Sequence, residues 1–243
     1  MGHKGRVRLR KLGDELIRAY PSIGDPETVI AQGAVAVNGR TITNPESLVR
    51  RGAAITLRRD EPLRGEAKLE AALAAFRVDV GNRVALDAGA AAGGFPRALR
   101  SAGARRVYAV DAGHGQLLGS LRQDGRVVNL ERTNLGRLDR RLVPDAVEIV
   151  TLDLSYLALA EAVPQLRGLR IADGCPLLAL VKPQFELRLA EPPSDEPSLQ
   201  HALELAADGI AAAGWHVVSS IRSPLRGARG SIELFIHARK DTR

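Results

Sequence analysis

The chain has 243 residues, 45% of them hydrophobic, and a formal net charge of +7. Such a length allows one large or two modest domains with buried cores. No apolar run approaches the roughly 20 residues that cross a bilayer, and the charged start lacks the apolar segment of a signal peptide. The single cysteine, Cys175, excludes a disulfide framework and a cysteine-cluster zinc site. We therefore expect a cytoplasmic protein with no metal and no membrane attachment.

The positive charge is concentrated near the start of the chain. Residues 1–64 hold 12 of the 35 Lys and Arg but only 7 of the 28 Asp and Glu. The basic strip at 4–11 is typical of segments that meet phosphate backbones, although a solvated arginine-rich tail would have the same composition. Because only 3% of the residues are aromatic, stacking on bases is not expected to dominate any binding of nucleic acid.

Lysine is rare in this chain, with five residues against thirty arginines. Lys68 opens a predicted helix, and Lys182 directly follows an apolar run. A guanidinium stays charged at any working pH, whereas an ammonium can be tuned by its surroundings. These two positions therefore indicate lysine chemistry, unless both are solvated surface groups.

The first sixty residues predict a small α/β module. One helix is expected to end at Pro21, and a second begins at Asp25-Pro26, an N-cap with proline in the first turn. Asn38-Gly39 is the preferred two-residue hairpin turn. The predicted elements are helices at 9–20 and 25–32 and strands at 34–37, 40–43 and 54–57.

A charged stretch with Pro62 follows, as expected of a linker, and beyond it strands and helices alternate. Such alternation is typical of an α/β fold with a mainly parallel sheet and helices on both faces. The last two strands are expected to pair antiparallel. The predicted strands are 83–87, 106–111, 127–130, 147–152, 176–181, 215–221 and 232–237, and the predicted helices are 94–102, 159–167 and 198–213.

Small residues fill the turn between the first of these strands and its helix, at 88–94. They let a ligand approach the backbone near a helix N-terminus, although the same glycines could merely permit a tight turn. Asp111 ends the next strand, where a carboxylate usually binds ribose hydroxyls. The turn lacks Gly-x-Gly-x-x-Gly and Gly-Lys-Ser/Thr, which disfavours a nicotinamide dehydrogenase and an NTPase.

The N-terminal module resembles the RNA-binding module of ribosomal small-subunit protein four. The resemblance rests on residues 11–16 and on 29–39, which include Gly-x-Val-x-Val-Asn-Gly. It implies that the basic side chains of this module bind RNA. These are Arg6, Arg8, Arg10, Lys11, Arg18 and Arg40.

The small-residue turn is similar to the S-adenosylmethionine loop of FtsJ-like ribose methyltransferases, which implies a Rossmann-like methyltransferase sheet. Asp111 would then bind the cofactor ribose, and Asn134 would lie near its adenine. The residues that would contact the cofactor are Asp87, Gly89, Ala90, Gly93, Gly94, Phe95, Asp111, Asn134 and Asp153.

The whole chain resembles the TlyA, or hemolysin A, family of ribosomal RNA methyltransferases. The resemblance implies 2′-O-methylation of cytidine in ribosomal RNA, with S-adenosylmethionine as the donor and RNA or a ribosomal subunit as the partner. It rests on runs at 68–73, 105–111, 115–117, 121–124, 131–134, 153–156 and 180–186.

The same resemblance implies a catalytic quartet: Lys68, Asp153, Lys182 and Glu233. Lys182 would deprotonate the ribose hydroxyl or stabilise the developing alkoxide, and Asp153 would hold Lys182 and the hydroxyl. Lys68 and Glu233 would complete the charge network and position the nucleotide.

The chain departs from the family pattern in three places. Ala91-Ala92 replace a Ser-Thr pair, residues 188–197 replace a glycine-rich stretch, and Glu66-Ala67 alter an Arg-Gly-Gly run. The altered stretch leaves two alternatives open, a paralogue that methylates a small hydroxylated or nucleoside-like metabolite and a non-catalytic RNA-binding factor. We expect an RNA-binding domain at 1–59, a linker at 60–67 and a methyltransferase domain at 68–243.

Overall fold

The computed structural model describes residues 9–31, 34–42, 44–57, 63–227 and 230–242. The chain divides into two compact units. One comprises Met1–Glu61 with Leu118–Gln123, and the other comprises Pro62–Leu117 with Asp124–Arg243. None of the helices in the described ranges has the length and hydrophobicity to cross a membrane.

The first unit combines two helices with short antiparallel strands. Asn38 and Gly39 have φ values of +49° and +79°, as the predicted two-residue hairpin turn requires. Its core comprises Leu12, Leu16, Ile30, Val35, Val37 and Val49. The elements are β1 (Leu9–Lys11), α1 (Leu12–Ala19), α2 (Pro26–Ala31), β2 (Val35–Val37), β3 (Arg40–Thr41), β4 (Leu48–Arg50) and β5 (Ile55–Leu57).

The second unit is built on a seven-stranded sheet in the order β11-β12-β10-β9-β6-β7-β8. The strands from β10 to β8 in this order are parallel to their neighbours, whereas β12 runs antiparallel to both β10 and β11. The strands are β6 (Val84–Ala88), β7 (Arg106–Val110), β8 (Val127–Leu130), β9 (Ile149–Leu152), β10 (Pro176–Val181), β11 (Trp215–Arg222) and β12 (Leu234–Lys240).

Helices flank this sheet. α3 packs against α4, and α8 packs against α6, α7 and β11. The main core lies between the sheet and α6 and α8, where Leu86, Val150, Leu177 and Ile236 are fully buried. The helices of this unit are α3 (Arg64–Phe76), α4 (Gly94–Ser101), α6 (Leu159–Ala162), α7 (Pro183–Glu186) and α8 (Glu196–Ala212), with a 3-10 helix at Val163–Gly168. Helix α5 (Gly119–Gln123) belongs to the first unit.

The fold predicted from the sequence is confirmed, with differences at the ends of elements. The chain at Leu9–Lys11 is a strand rather than the start of a helix, because it pairs with β4, which the sequence did not predict. Helix α3 begins at Arg64, so Lys68 lies in its second turn. The Glu66 carboxylate accepts the Leu63 N–H at 3.3 Å and so stabilises the earlier start.

Candidate active site

The predicted catalytic residues and Asp111 lie at one edge of the sheet. β6, β7, β9 and β10 all end at this edge because they are parallel, and the antiparallel β12 begins there. Leu234, the first residue of β12, pairs with Val181, the last residue of β10. Glu233 directly precedes β12 and Lys182 directly follows β10, so both residues lie at the same edge. In open α/β sheets this is the edge at which ligands bind.

The turn after β6 is held by close backbone contacts. Gly89 has φ of +93°, and a Cβ on it would lie 2.2 Å from the carbonyl oxygen of Asp153. The N–H groups of Gly89 and Ala90 both donate to the Val110 carbonyl, at 2.9 and 3.0 Å. Only glycine fits at position 89, because both the space and the φ value exclude a side chain.

Asp111 joins this turn to the loop that follows β7. One carboxylate oxygen accepts the Ala91 N–H at 2.8 Å, and the other accepts the Gly113 N–H at 2.6 Å. A small cavity opens between these loops. It is lined by Ala88, Gly89, Val110, Asp111, Ala112, Thr133, Leu135, Leu154 and Tyr156.

Asp87 is fully buried beneath the turn. Thr151 donates its hydroxyl to Oδ1 at 2.6 Å, while Oδ2 has no hydrogen-bond partner among the described residues. Burial raises the pKa of Asp87 to about 8, the Thr151 hydrogen bond opposes the rise, and the charges of Asp153 and Asp111 add to it. The Asp111 carboxylate at the wall of the cavity, beside the small residues of the turn, fits a polar, ribose-bearing cofactor.

Two other residues predicted to contact the cofactor differ in exposure. Phe95 is 3% exposed, and its ring stacks on Phe235 with centroids 6.1 Å apart, so the ring belongs to the core. A contact with the cofactor would have to come from its backbone. Asn134 is exposed at the start of a 3-10 turn beyond β8, at the edge where the prediction needs it.

Asp153 and Lys182 form the first of two ion pairs among the quartet residues. Lys182 Nζ lies 2.6 Å from Asp153 Oδ1, and the side chains are 11% and 23% exposed. Lys182 Nζ also donates to the Ser155 hydroxyl at 2.7 Å.

Lys68 and Glu233 form the second pair. Lys68 Nζ donates to Glu233 Oε2 at 2.5 Å, and the two side chains are 9% and 3% exposed. Gly227 lies directly over this carboxylate, since a Cβ there would meet Glu233 Oε1 at 1.9 Å. The structure therefore brings Lys68 and Glu233 together, as it does Asp153 and Lys182.

Helix α3 is fixed to α4 near the cofactor turn. Arg97 Nε donates to Glu66 Oε2 at 2.6 Å. A Cβ on Gly94 would lie 2.8 Å from the Glu66 nitrogen, so the two helix starts touch through backbone. Glu66 stands where the family pattern has glycine, and this ion pair was not predicted from the sequence.

Two further carboxylates shape the site without having been predicted. Burial would raise the pKa of Glu131, but hydrogen bonds from Asn129 and from the Leu117 and Gln116 N–H groups lower it to about 2. Glu186 accepts the Leu159 N–H at the start of α6, at 3.0 and 3.2 Å, and burial raises its pKa to about 7. Their positions within the family runs at 131–134 and 180–186 were the available sequence signals.

The predicted RNA-binding side chains lie in the first unit, where Arg10, Lys11, Arg18 and Arg40 are exposed. Lys11 pairs with Glu46 at 2.6 Å. Arg18 Nε donates to the buried Glu15 at 3.0 Å. Arg6 and Arg8 lie outside the described residues. RNA binding by these side chains stays a prediction.

The family model of FtsJ-like methyltransferases matches residues 63–240. A relative from Mycobacterium tuberculosis, the 16S/23S rRNA (cytidine-2′-O)-methyltransferase TlyA, is 38% identical over 253 aligned residues, which cover 100% of this chain and 92% of the relative. Hemolysin A of Brachyspira hyodysenteriae is 30% identical over an alignment that covers 87% of this chain and 91% of the relative.

Solved structures agree with these matches. A Streptococcus thermophilus protein described as a hemolysin has a TM-score of 0.70 at 28% identity, covering 97% of this chain and 90% of its own. A methyltransferase from Listeria monocytogenes, at 16% identity and a TM-score of 0.54, shares the fold. The family matches confirm the predicted methyltransferase activity and the predicted methyl donor, S-adenosylmethionine.

The chain belongs to the FtsJ-like methyltransferases and, among them, to the TlyA, or hemolysin A, family.

Proposed function

We propose that this protein transfers a methyl group from S-adenosylmethionine to the 2′-hydroxyl of a cytidine in ribosomal RNA. The observation that carries the proposal is the pairing of Lys182 with Asp153 and of Lys68 with Glu233 at one sheet edge, beside a turn suited to the cofactor. The name and the 38% identity of the TlyA relative support the choice of substrate.

The turn after β6 and the loop after β7 would hold the cofactor. Asp111 would bind the ribose hydroxyls, and the backbone at Gly89 would form the wall of the cavity beside it. Asp87 is fully buried and would support the turn from below rather than contact the cofactor. When bound, S-adenosylmethionine supplies an electrophilic methyl group on a sulfonium. The start of α4 at Gly94 lies directly after this turn, where a helix N-terminus would favour the carboxylate of the cofactor's methionine part.

Lys182 would act on the ribose hydroxyl, which is a poor nucleophile. As an amine, Nζ would accept the hydroxyl proton, and as an ammonium it would stabilise the developing alkoxide. Both roles need Nζ held beside the ribose oxygen and in line with the methyl group. The 2.6 Å contact with Asp153 supports this role because it restrains a side chain that is otherwise flexible.

Lys68 and Glu233 would position the target nucleotide. Their pair is almost fully buried, so it provides a rigid boundary of the site rather than a mobile surface charge. Arg97 and Glu66 would keep the helix that carries Lys68 against the cofactor turn.

The first unit would dock the enzyme on RNA through its exposed basic residues, and a ribosomal substrate would be met in the cytoplasm. The division at 1–59, 60–67 and 68–243 stays part of this proposal. If arginine and lysine contact phosphates, the affinity of the protein for RNA should fall steeply as the salt concentration rises.

Tritium transfer from labelled S-adenosylmethionine tests the substrate. Purified protein is incubated in parallel with ribosomal subunits that lack the modification and with a small-molecule extract, and Lys182→Ala serves as the inactive control. Label in ribosomal RNA supports the proposal. Label only in the small-molecule fraction would support the metabolite alternative, and no label with any acceptor would leave the non-catalytic RNA-binding factor.

A further inference from the structure

We propose that Ser155 is a positioning residue that aims the Lys182 amine at the ribose oxygen; this rests on the proposed function of Lys182. Among the described residues Ser155 is the hydrogen-bond acceptor that meets Lys182 Nζ in aligned geometry, at 2.7 Å. The Asp153 carboxylate is as near, at 2.6 Å, and forms an ion pair with the same nitrogen. Asp153 therefore provides the opposite charge, and Ser155 adds a second, neutral contact that fixes the orientation of Nζ.

The backbone explains why both groups reach the same nitrogen. Asp153 is fixed to the sheet because its N–H donates to the Ala88 carbonyl at 2.9 Å and its carbonyl oxygen lies against Gly89. Between Asp153 and Ser155, Leu154 is 5% exposed and packs in the core. The Asp153 carboxylate and the Ser155 hydroxyl, on either side of this buried residue, both reach Lys182 Nζ.

Lys182 itself approaches from a restrained backbone. It is the N-cap of α7 with an extended conformation, φ −113° and ψ 101°, and Pro183 occupies the first helical position. Its side chain is 11% exposed. The backbone and the burial limit where Nζ can lie, while the two contacts limit how its hydrogens are arranged.

A tetrahedral nitrogen bonded to Cε has three further positions. One meets Ser155 and one faces Asp153, which leaves a single position for the ribose oxygen. In the ammonium that position carries an N–H, and in the neutral amine it carries the lone pair. The same arrangement therefore serves both chemical roles proposed for Lys182.

Ser155 is exposed, so its hydroxyl can be removed without opening a cavity in the core. We expect Ser155→Ala to lower kcat about 10- to 100-fold, the order of magnitude that a misplaced catalytic group costs. The KM for S-adenosylmethionine and the melting temperature should stay at the wild-type values. Ser155→Thr keeps the hydroxyl and should restore most of kcat. Ser220→Ala removes an exposed serine from the edge strand β11 and controls for the change of residue type.

The test measures methyl transfer to ribosomal subunits across a range of pH, with cofactor affinity by calorimetry and melting by circular dichroism. Lys182→Ala is measured first, and its failure to lower transfer would overturn the proposed function itself. With Lys182→Ala inactive, a selective loss of kcat in Ser155→Ala that threonine rescues supports the positioning role. Wild-type kcat in Ser155→Ala would overturn the role of Ser155 and leave the proposed function of Lys182 intact. An equal loss of cofactor affinity and kcat that Ser155→Thr fails to rescue would do the same.

Discussion

Lys68 and Glu233 are 165 residues apart in the chain, yet Lys68 Nζ donates to Glu233 Oε2 at 2.5 Å in the interior of the second unit. The pair joins the helix before the first strand of the sheet to the start of its last strand. A buried ion pair of this kind is weak evidence for stability but strong evidence for a fixed geometry.

Breaking this pair from one side should destabilise the protein. Lys68→Ala leaves the Glu233 carboxylate buried and uncompensated, which typically costs about 3–5 kcal/mol of unfolding free energy. Urea denaturation measures the loss. Lys11→Ala breaks the exposed pair with Glu46 and should cost under about 1 kcal/mol. Equal, small losses in the two variants would contradict the role assigned to the buried pair.

Replacing both partners separates stability from activity. Lys68→Met with Glu233→Leu removes both buried charges, so unfolding free energy should recover relative to Lys68→Ala. Methyl transfer should stay low because the charge network is absent. Recovered transfer in the double variant would remove both residues from the site.

Gly89→Ala should abolish tight binding of S-adenosylmethionine. The added Cβ would lie 2.2 Å from the Asp153 carbonyl oxygen, so the turn and the segment that carries Asp153 must move apart. Gly174→Ala is the matched control, because Gly174 also has a positive φ, +66°, but no atom lies within 4 Å of its added Cβ. Calorimetry should show loss of binding in the first variant and wild-type affinity in the second. Wild-type affinity in both would mean that this turn does not hold the cofactor.

Asp87 should make stability depend on pH. Because burial raises its folded pKa to about 8, the folded protein binds the proton more tightly than the unfolded chain. This contribution favours folding at low pH and is lost as pH rises from about 4, the usual pKa of the carboxyl, to about 8. Asp87→Asn keeps the shape and removes the titration. The difference in unfolding free energy between variant and wild type should therefore grow in favour of the variant across that range, and a constant difference would contradict the raised pKa.

Glu131 should affect cofactor affinity through the loop after β7. Its carboxylate accepts the Gln116 and Leu117 N–H groups at 2.7 and 3.2 Å, so Glu131→Gln weakens the anchor of a loop adjoining Asp111. The dissociation constant for S-adenosylmethionine should rise about tenfold, the equivalent of about 1.4 kcal/mol, while kcat at saturating cofactor stays unchanged. A fall in kcat with unchanged affinity would place Glu131 nearer the chemistry.

Hydrophobic patterning predicted most of the fold because the sheet strands are short, buried and separated by turn residues. Val127–Leu130 and Pro176–Val181 were predicted at their observed bounds. β4 was missed because Leu48–Arg50 is too short for a pattern and gains its partner from β1, almost forty residues away. Its pairing is a tertiary effect.

The residues of the quartet, and the contact of Asp153 with Lys182, were named from motifs, but the pairing of Lys68 with Glu233 was not. Sequence spacing could not pair Lys68 with Glu233 rather than with Asp153, since that depends on β12 running antiparallel beside β10. Nor could it find the contacts of Glu66 with Arg97 or of Ser155 with Lys182, which depend on how helices and loops close around the sheet edge.

Methyl transfer from S-adenosylmethionine to a cytidine 2′-oxygen, with Lys182 acting on the hydroxyl, is the central step of the proposed function. Ribosomal RNA methylated by the purified protein can be digested to nucleosides and analysed by mass spectrometry. Wild-type protein should produce 2′-O-methylcytidine, and Lys182→Ala, folded and still able to bind S-adenosylmethionine, should produce none. Formation of 2′-O-methylcytidine by Lys182→Ala at the wild-type rate, or of a base-methylated nucleoside by the wild type, would contradict this step.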